Sequence, residues 1–369
     1  MKDTLRSIKG QLDRLRSLVP LGEDLREFVS QILDERIASV ASDTSMGIVP
    51  PSVLSQTQML ASARIAAELI DTPERLAVKP EGIVDIGMIE WLLRPALPLN
   101  NDEFEPMESG IWKNLPSDIV ARQSSSVCRL DIVIDTSDPI HIGTGFVAGE
   151  DSMGRFVIVT NAHVVDEVVR LGWPANKRIL FGCDFSRFSV DIGGELCPVE
   201  IDYKLHPTND MALLYLRNNS VNIGDRIKPL QVAGSAPENI VEWRIGVIGH
   251  PAFDSRRDPF PQFFGFGNEF GIKRFSPGFI RALDERTWRG NDVYVVLHDA
   301  TTLSGSSGSC ILDLETMDIV GLHFGGWPLH KQKATTHVGD VIAQLFESNG
   351  AVPMWKLVED PFCSDLMFG

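Results

Sequence analysis

Thr301–Leu312 reads TTLSGSSGSCIL, with four serines and two glycines in twelve residues, and Ile319–Trp327, IVGLHFGGW, follows shortly after. By composition the first stretch is equally a Ser/Gly-rich surface loop or a loop in which one serine does chemistry. Acyl transfer needs an exposed hydroxyl beside free backbone N–H groups that can hold a developing oxyanion. Gly305, two residues ahead of Ser307, lets the chain turn such groups inward. A serine is a weak nucleophile by itself, so a base and a group orienting that base must come from elsewhere in the chain.

Two upstream segments supply candidates. Gly143–Val165 reads GTGFVAGEDSMGRFVIVTNAHVV. Its apolar run Phe156–Val159 is expected to be a strand that leads into His163, and a histidine at the end of a buried strand is held as rigidly as a general base must be. Alone, it is equally a structural histidine. His206–Leu216 reads HPTNDMALLYL, with Asp210 at the mouth of an apolar strand. A buried carboxylate there must be hydrogen-bonded or charge-paired, although a turn-capping Asp is the simpler reading of the segment in isolation. The intervals, 47 residues from His163 to Asp210 and 97 from Asp210 to Ser307, put the three in the order His, Asp, Ser.

That order, with the motifs TNAHVV, NDMALLYL, GSSGS and GTGF, resembles the trypsin/chymotrypsin-like serine peptidase superfamily over about residues 127–347. The resemblance implies an all-β fold of two six-stranded barrels with the site in the cleft between them. It also implies His163 as base, Asp210 orienting it, Ser307 as nucleophile, and the N–H groups of Gly305 and Ser307 as oxyanion hole. Departures refine the placement. Ser306 stands where animal trypsins carry Asp, and no IIGG or IVGG site precedes the first strand, so activation by a new N-terminus is not expected. The sequence looks more like the bacterial branch that includes the glutamyl endopeptidases. The absence of a PDZ-like segment argues against an HtrA-type architecture. Cys310, where that branch often has Pro, reads as a small buried residue. GLHFGG is similar to the glutamyl-endopeptidase segment that lines the primary pocket. The resemblance therefore implies that His323 and Thr302 face one another and hydrogen-bond Glu or Gln, or Asp, before the cut bond. His323 as a satisfied core histidine is the competing reading. Gly325 and Gly326 would leave a strand edge open for substrate backbone.

Around this core the chain has two textures. Residues 1–95 are helical in period: Leu5, Ile8, Leu12, Leu15 and Val19 recur at three- and four-residue steps, with further helices around Leu25–Val40, Ser52–Asp71 and Val84–Leu93. They read as a small helical domain, packed on itself or serving to recruit a regulatory protein partner. Residues 96–125, rich in Pro, Asn and acids, read as a linker over the surface of the next domain. Residues 126–369 read as the protease domain, in short strands from Val127–Ile134 to Ile319–Phe324, with a C-terminal helix at Val338–Glu347.

The 369-residue chain carries 50 acidic against 34 basic residues, a formal charge of −16. That sign repels phosphate, so no nucleic-acid partner and no anionic membrane surface are expected. No run approaches the ~18 apolar residues of a membrane span. The N-terminus has no signal-peptide core, and five scattered cysteines form no disulfide or thiolate–metal pattern. A cytoplasmic location, no cofactor and no metal are expected. The expected substrate is a protein or peptide, cleaved by a regulated signalling or defence protease. Alternatives are a catalytically silent protease-like module that binds a partner, and an esterase without peptide specificity.

Overall fold

The computed structural model describes residues 24–31, 66–78, 93–100, 102–104, 112–134, 138–170, 179–185, 197–198, 203–216, 227–236, 239–255, 269–327, 348–364 and 366–368, with isolated positions (9, 12, 13, 15, 16, 19, 33, 34, 63, 64, 89, 262, 265 and 266) elsewhere. Strands dominate. In chain order they are β1 (Leu97–Pro98), β2 (Val127–Ile134), β3 (Ile140–Glu150), β4 (Phe156–Thr160), β5 (Ile179–Asp184), β6 (Cys197–Pro198), β7 (Lys204–Leu205), β8 (Ala212–Tyr215), β9 (Arg244–Gly249), β10 (Arg274–Trp288), β11 (Asn291–His298), β12 (Cys310–Asp313), β13 (Ile319–Trp327), β14 (Ser348–Pro353) and β15 (Met367–Phe368). Helices among the described residues include α1 (Pro73–Val78), α2 (Ser117–Ser124) and α3 (Ala162–Arg170).

All strand pairings are antiparallel, and they form two sheets. In the C-terminal sheet β10, β11, β14, β13, β12 and β9 follow one another, and β9 pairs back onto β10, so six strands close on themselves with β1 added outside. The N-terminal sheet runs β6-β5-β2-β3-β4-β8-β7, with β15 on β3. This is a chymotrypsin-like fold. The expected six-strand count holds for the closed ring, while the first sheet has eight strands, three of which (β6, β7 and the terminal β15) are only two residues long.

Apolar residues explain the closure. Leu130, Ile132, Ile158 and Leu214 fill the first barrel, and Ile245, Val247, Ile280, Val296 and Ile311 fill the second. A third cluster, including Phe146, Val157, Leu213, Ile248, Phe275 and Leu322, takes residues from both barrels. At about 25 cal/mol per Å² of apolar surface removed from water, this shared cluster fixes how the barrels meet.

Four expectations change. First, residues 96–125 do not run over the surface as a plain linker where they are described. Leu99, Phe104 and Trp112 are buried, Phe104 stacks on Phe275 at 5.3 Å, and β1 pairs with β10. Asp102, buried, accepts from Lys273 Nζ at 3.0 Å and from Ser124 Oγ at 2.7 Å, tying the stretch to α2 and β10. The acidic and Pro-rich composition hid these few apolar anchors. Lys273→Met should lower stability by about 3–5 kcal/mol, because it removes the cation paired with a buried carboxylate; denaturant unfolding measures this. Second, β10 spans fifteen residues where no strand was expected. Pro277 and Gly278 interrupt its sequence pattern, yet both pair with β9, just before the strand changes partner to β11 between Phe279 and Ile280. Third, β14 was also not expected. Fourth, His163 lies in the first turn of α3, not at a strand end. The expected helix at Val338–Glu347 lies outside the described residues, as does most of the helical domain expected at 1–95. Of the latter, residues 25–31 and α1 are helical, and Leu12, Leu15, Leu25 and Phe28 are buried.

Candidate active site

Strand β4 ends at Thr160, and the chain turns through Asn161 directly into α3, which delivers His163 beside Asp210. The Asp210 carboxylate holds His163 twice. Its Oδ2 lies 2.7 Å from the imidazole Nδ1, and its Oδ1 accepts the His163 backbone N–H at 3.0 Å. Asn161 Nδ2 donates to the Asp210 carbonyl at 2.8 Å, fixing the carboxylate's backbone. Asp210 is 4% exposed while the His163 side chain is 38% exposed, so a buried anion grips a ring whose other edge is open.

Ser307 is carried by the turn between Leu303 and Ser309. Buried Ser306 organises this turn: its N–H donates to the Leu303 carbonyl at 3.1 Å, and its own carbonyl accepts from Ser309 Oγ at 2.6 Å. Two other carbonyls are pinned from outside. Ala252 N–H donates to Ser304 O at 2.6 Å, and Thr144 Oγ1 donates to Gly305 O at 2.8 Å. In a trans peptide the N–H points away from the carbonyl. Pinning Ser304 O therefore turns Gly305 N–H away from Ala252, and pinning Ser306 O turns Ser307 N–H away from Ser309. Neither N–H donates to an acceptor among the described residues. Gly308, at φ +91°, completes the turn. A Cβ there would lie 1.8 Å from Thr144 O, so no other residue fits.

Ser307 and the α3 end of the site share the GTGF strand. Thr144 N–H donates to Ser307 O at 2.8 Å, and Gly143 lies between that carbonyl and Val164. Ser307 Oγ donates to Phe324 O at 3.4 Å, and no bond from it to His163 is present among the described residues. The structure thus brings His163 and Asp210 into direct contact and holds the Ser307 turn against the GTGF strand, its hydroxyl turned toward β13. Catalytic hydrogen bonds commonly tighten only with substrate in place.

His323 and Thr302, expected to hydrogen-bond a substrate side chain together, each bond a neighbour in this structure. His323 is fully buried, and its Nδ1 lies 3.1 Å from His298 Nε2; Thr302 Oγ1 donates to Asn349 Oδ1 at 2.9 Å. Asn349 reaches them because β14, which was not foreseen, pairs with β13. Burial, then the neighbouring His298 and His163, push the His323 pKa well below the usual value, and burial with the Arg94 guanidinium takes His298 down to about 3. Both rings are therefore neutral at pH 7. His323 Nε2 is buried with no partner among the described residues. Gly325 and Gly326 pair with β14 on one side, while β12 pairing stops at Leu322. Cys310 is fully buried, with its thiol pushed up to about 12 by burial.

Sequence reasoning missed three residues here. His298 ends an apolar strand, the pattern expected of His163, and that signal was readable. Thr144 and Asn161 sit inside the quoted motifs, but their roles come from bonds across 161 and 49 residues, which no local pattern encodes. Among the described residues, no group of three or more His, Cys, Asp or Glu is placed to hold a metal.

The chymotrypsin-like fold and a trypsin-like peptidase domain within it support a serine endopeptidase. Residues 143–322 match the family model of the trypsin-like peptidase domain. A probable serine protease of Lysobacter enzymogenes is 26% identical over 278 residues, 63% of this chain and 67% of its own length. Among solved structures, the active form of the Rv3671c protease from M. tuberculosis aligns with a TM-score of 0.41 at 17% identity, over 69% of this chain and 86% of that one. Mouse neuropsin aligns with a TM-score of 0.40 at 14% identity, over 64% and 92%.

Proposed function

We propose that the chain hydrolyses peptide bonds through an acyl-enzyme on Ser307. His163 takes the hydroxyl proton and returns it to the leaving amine. Asp210 keeps the imidazole in the tautomer with Nε2 free, and Gly305 and Ser307 N–H groups hold the oxyanion. The observation that carries this reading is the double grip of buried Asp210 on His163. The preferred residue before the cut bond is Glu or Gln, with Asp as the shorter variant, on the model of the glutamyl endopeptidases. The unpartnered Nε2 of neutral His323 supports this, since an N–H there would be completed by a side-chain carbonyl or carboxylate. The enzyme works on proteins in a reducing, cytoplasmic setting, in signalling or defence. A regulatory partner acts through residues 1–95.

A fluorophosphonate probe tests the nucleophile: labelling should appear in the wild type and vanish in Ser307→Ala. Ser307 Oγ turned toward Phe324 favours one second reading, a silent module that binds a partner, and absence of Ser307-dependent labelling would establish it. A peptide panel tests specificity, with best cleavage after Arg or Phe excluding the His323 pocket. A neutral His323 donates one N–H to a carboxamide or a carboxylate alike, and gaining a proton adds an ion pair that only the carboxylate can form. The ratio of kcat/KM for Glu over Gln peptides should therefore rise as pH falls from 8 to 6, which parallel assays at each pH measure.

A further inference from the structure

The distal half of β10 and β11 form a hairpin that rises from the second barrel. Arg289 and Gly290, both at positive φ, make its two-residue turn between the paired Trp288 and Asn291. At this tip Arg289 forms an ion pair with Asp166 on α3, three residues after His163. The hairpin therefore crosses from one barrel to the helix that carries the histidine of the other.

Cross-strand register assigns its faces. Arg286 opposes Val293, and Trp288 opposes Asn291, so these side chains share one face. Trp288 and Val293 line a slot whose other walls include Asn209, Asp210, Phe324 and Val352. The Phe324 ring is seated over Gly350, where a Cβ would lie 2.5 Å from the ring, so this wall is fixed by the absence of a side chain. The slot holds a cavity of about 20 Å³. That is room for about one methyl- or water-sized group.

We propose that this hairpin reads the substrate residue two positions before the cut bond and selects a small apolar side chain there. The inference rests on the serine-hydrolase reading above. An extended substrate laid along Phe324–Gly326 alternates its side chains between faces. If the residue at the cut bond points toward His323, the preceding one points to the opposite face, where Asp210 and the hairpin stand. Trp288, Val293, Phe324 and Val352 repay burial of a methyl group, whereas a carboxylate or ammonium would have to fit beside Arg286 and Asp210 in a space of about one methyl group. The narrow cavity penalises longer side chains, which must displace Trp288 or Val293.

The test uses the full-length protein and peptides identical except for Ala, Leu, Phe, Asp or Lys two residues before the bond. The readout is the ratio of kcat/KM values within one enzyme preparation, so partial misfolding of a variant cancels. Wild type should cleave the Ala peptide at least about tenfold faster than the Leu, Asp or Lys peptides, the discrimination that a small pocket supplies. Trp288→Ala should raise the Leu-to-Ala ratio about tenfold, and Val293→Ala should raise it in the same direction should Trp288→Ala fail to fold. A flat preference, a preference for charged residues, or ratios unchanged in both variants overturns the inference while Ser307 labelling leaves the hydrolase reading standing. Loss of wild-type labelling removes the reading, and the inference with it.

Discussion

Asp210→Asn is expected to lower kcat/KM by about 10⁴-fold while leaving the fold intact. The two bonds that Asp210 makes to His163 explain the size. The carboxylate accepts from the backbone N–H with one oxygen and meets Nδ1 with the other. An asparagine has one acceptor and one donor end. If its oxygen faces the backbone N–H, its NH₂ faces Nδ1, and the imidazole must shift its proton to Nε2. The opposite flip sets NH₂ against a backbone N–H that cannot move its proton. The ring can change tautomer and the backbone cannot, so the first arrangement wins. His163 then presents N–H instead of a lone pair to the serine. Steady-state kinetics with thermal unfolding as control checks this; a loss below tenfold in a folded variant would falsify the orienting role of Asp210.

Acidification should unfold the protein steeply between about pH 6 and pH 4, with stability falling by up to about 4 kcal/mol per pH unit. The cause is three buried histidines. His250, His298 and His323 are each at most 4% exposed. Burial lowers all three pKa values, with Lys273 and His141 acting further on His250. In the unfolded chain each takes a proton near pH 6.5, while in the folded chain His298 waits until about pH 3. Because the folded values are depressed, the unfolded state binds more protons as pH falls, and each group contributes about 1.4 kcal/mol per pH unit. The stability is fully present above pH 6.5 and is lost below it. Denaturant unfolding at half-unit pH steps measures the slope, and His298→Asn should flatten it by about one proton. A slope unchanged in that variant would show that carboxylates, not these rings, govern acid unfolding.

The candidate triad was legible because three weak motifs stood in one order at suitable intervals, and GTGF with the apolar strand runs pointed to the barrels. What stayed hidden shares a physical cause. The hairpin half of β10, Arg281–Trp288, reads RALDERTW, with three consecutive charged residues in place of an alternating pattern, and Arg289 in the turn that follows carries no turn signal of its own. Leu99, Phe104 and Trp112 are single anchors in a polar stretch, buried only because distant strands provide the surfaces. His163 reads as the end of a strand because Val157–Val159 precede it, but the apolar Val164, Val165 and Val168 after it carry a helical period that places it in α3. His323 was foreseen beside Thr302, whereas His298 and Asn349 took the two partners instead.

Thr144 has a kinetic consequence. Its amide and hydroxyl hold Ser307 O and Gly305 O across more than 160 positions of chain, and its own carbonyl accepts from Thr160 Oγ1. Contacts so distant in sequence form late in folding, after the entropy of closing the intervening loop has been met. The serine turn therefore acquires its shape only when the first barrel is already assembled, and a nascent or half-folded chain emerging from the ribosome holds the nucleophile without its setting. Whatever reactivity Ser307 has is then delayed by the contact order of the chain itself.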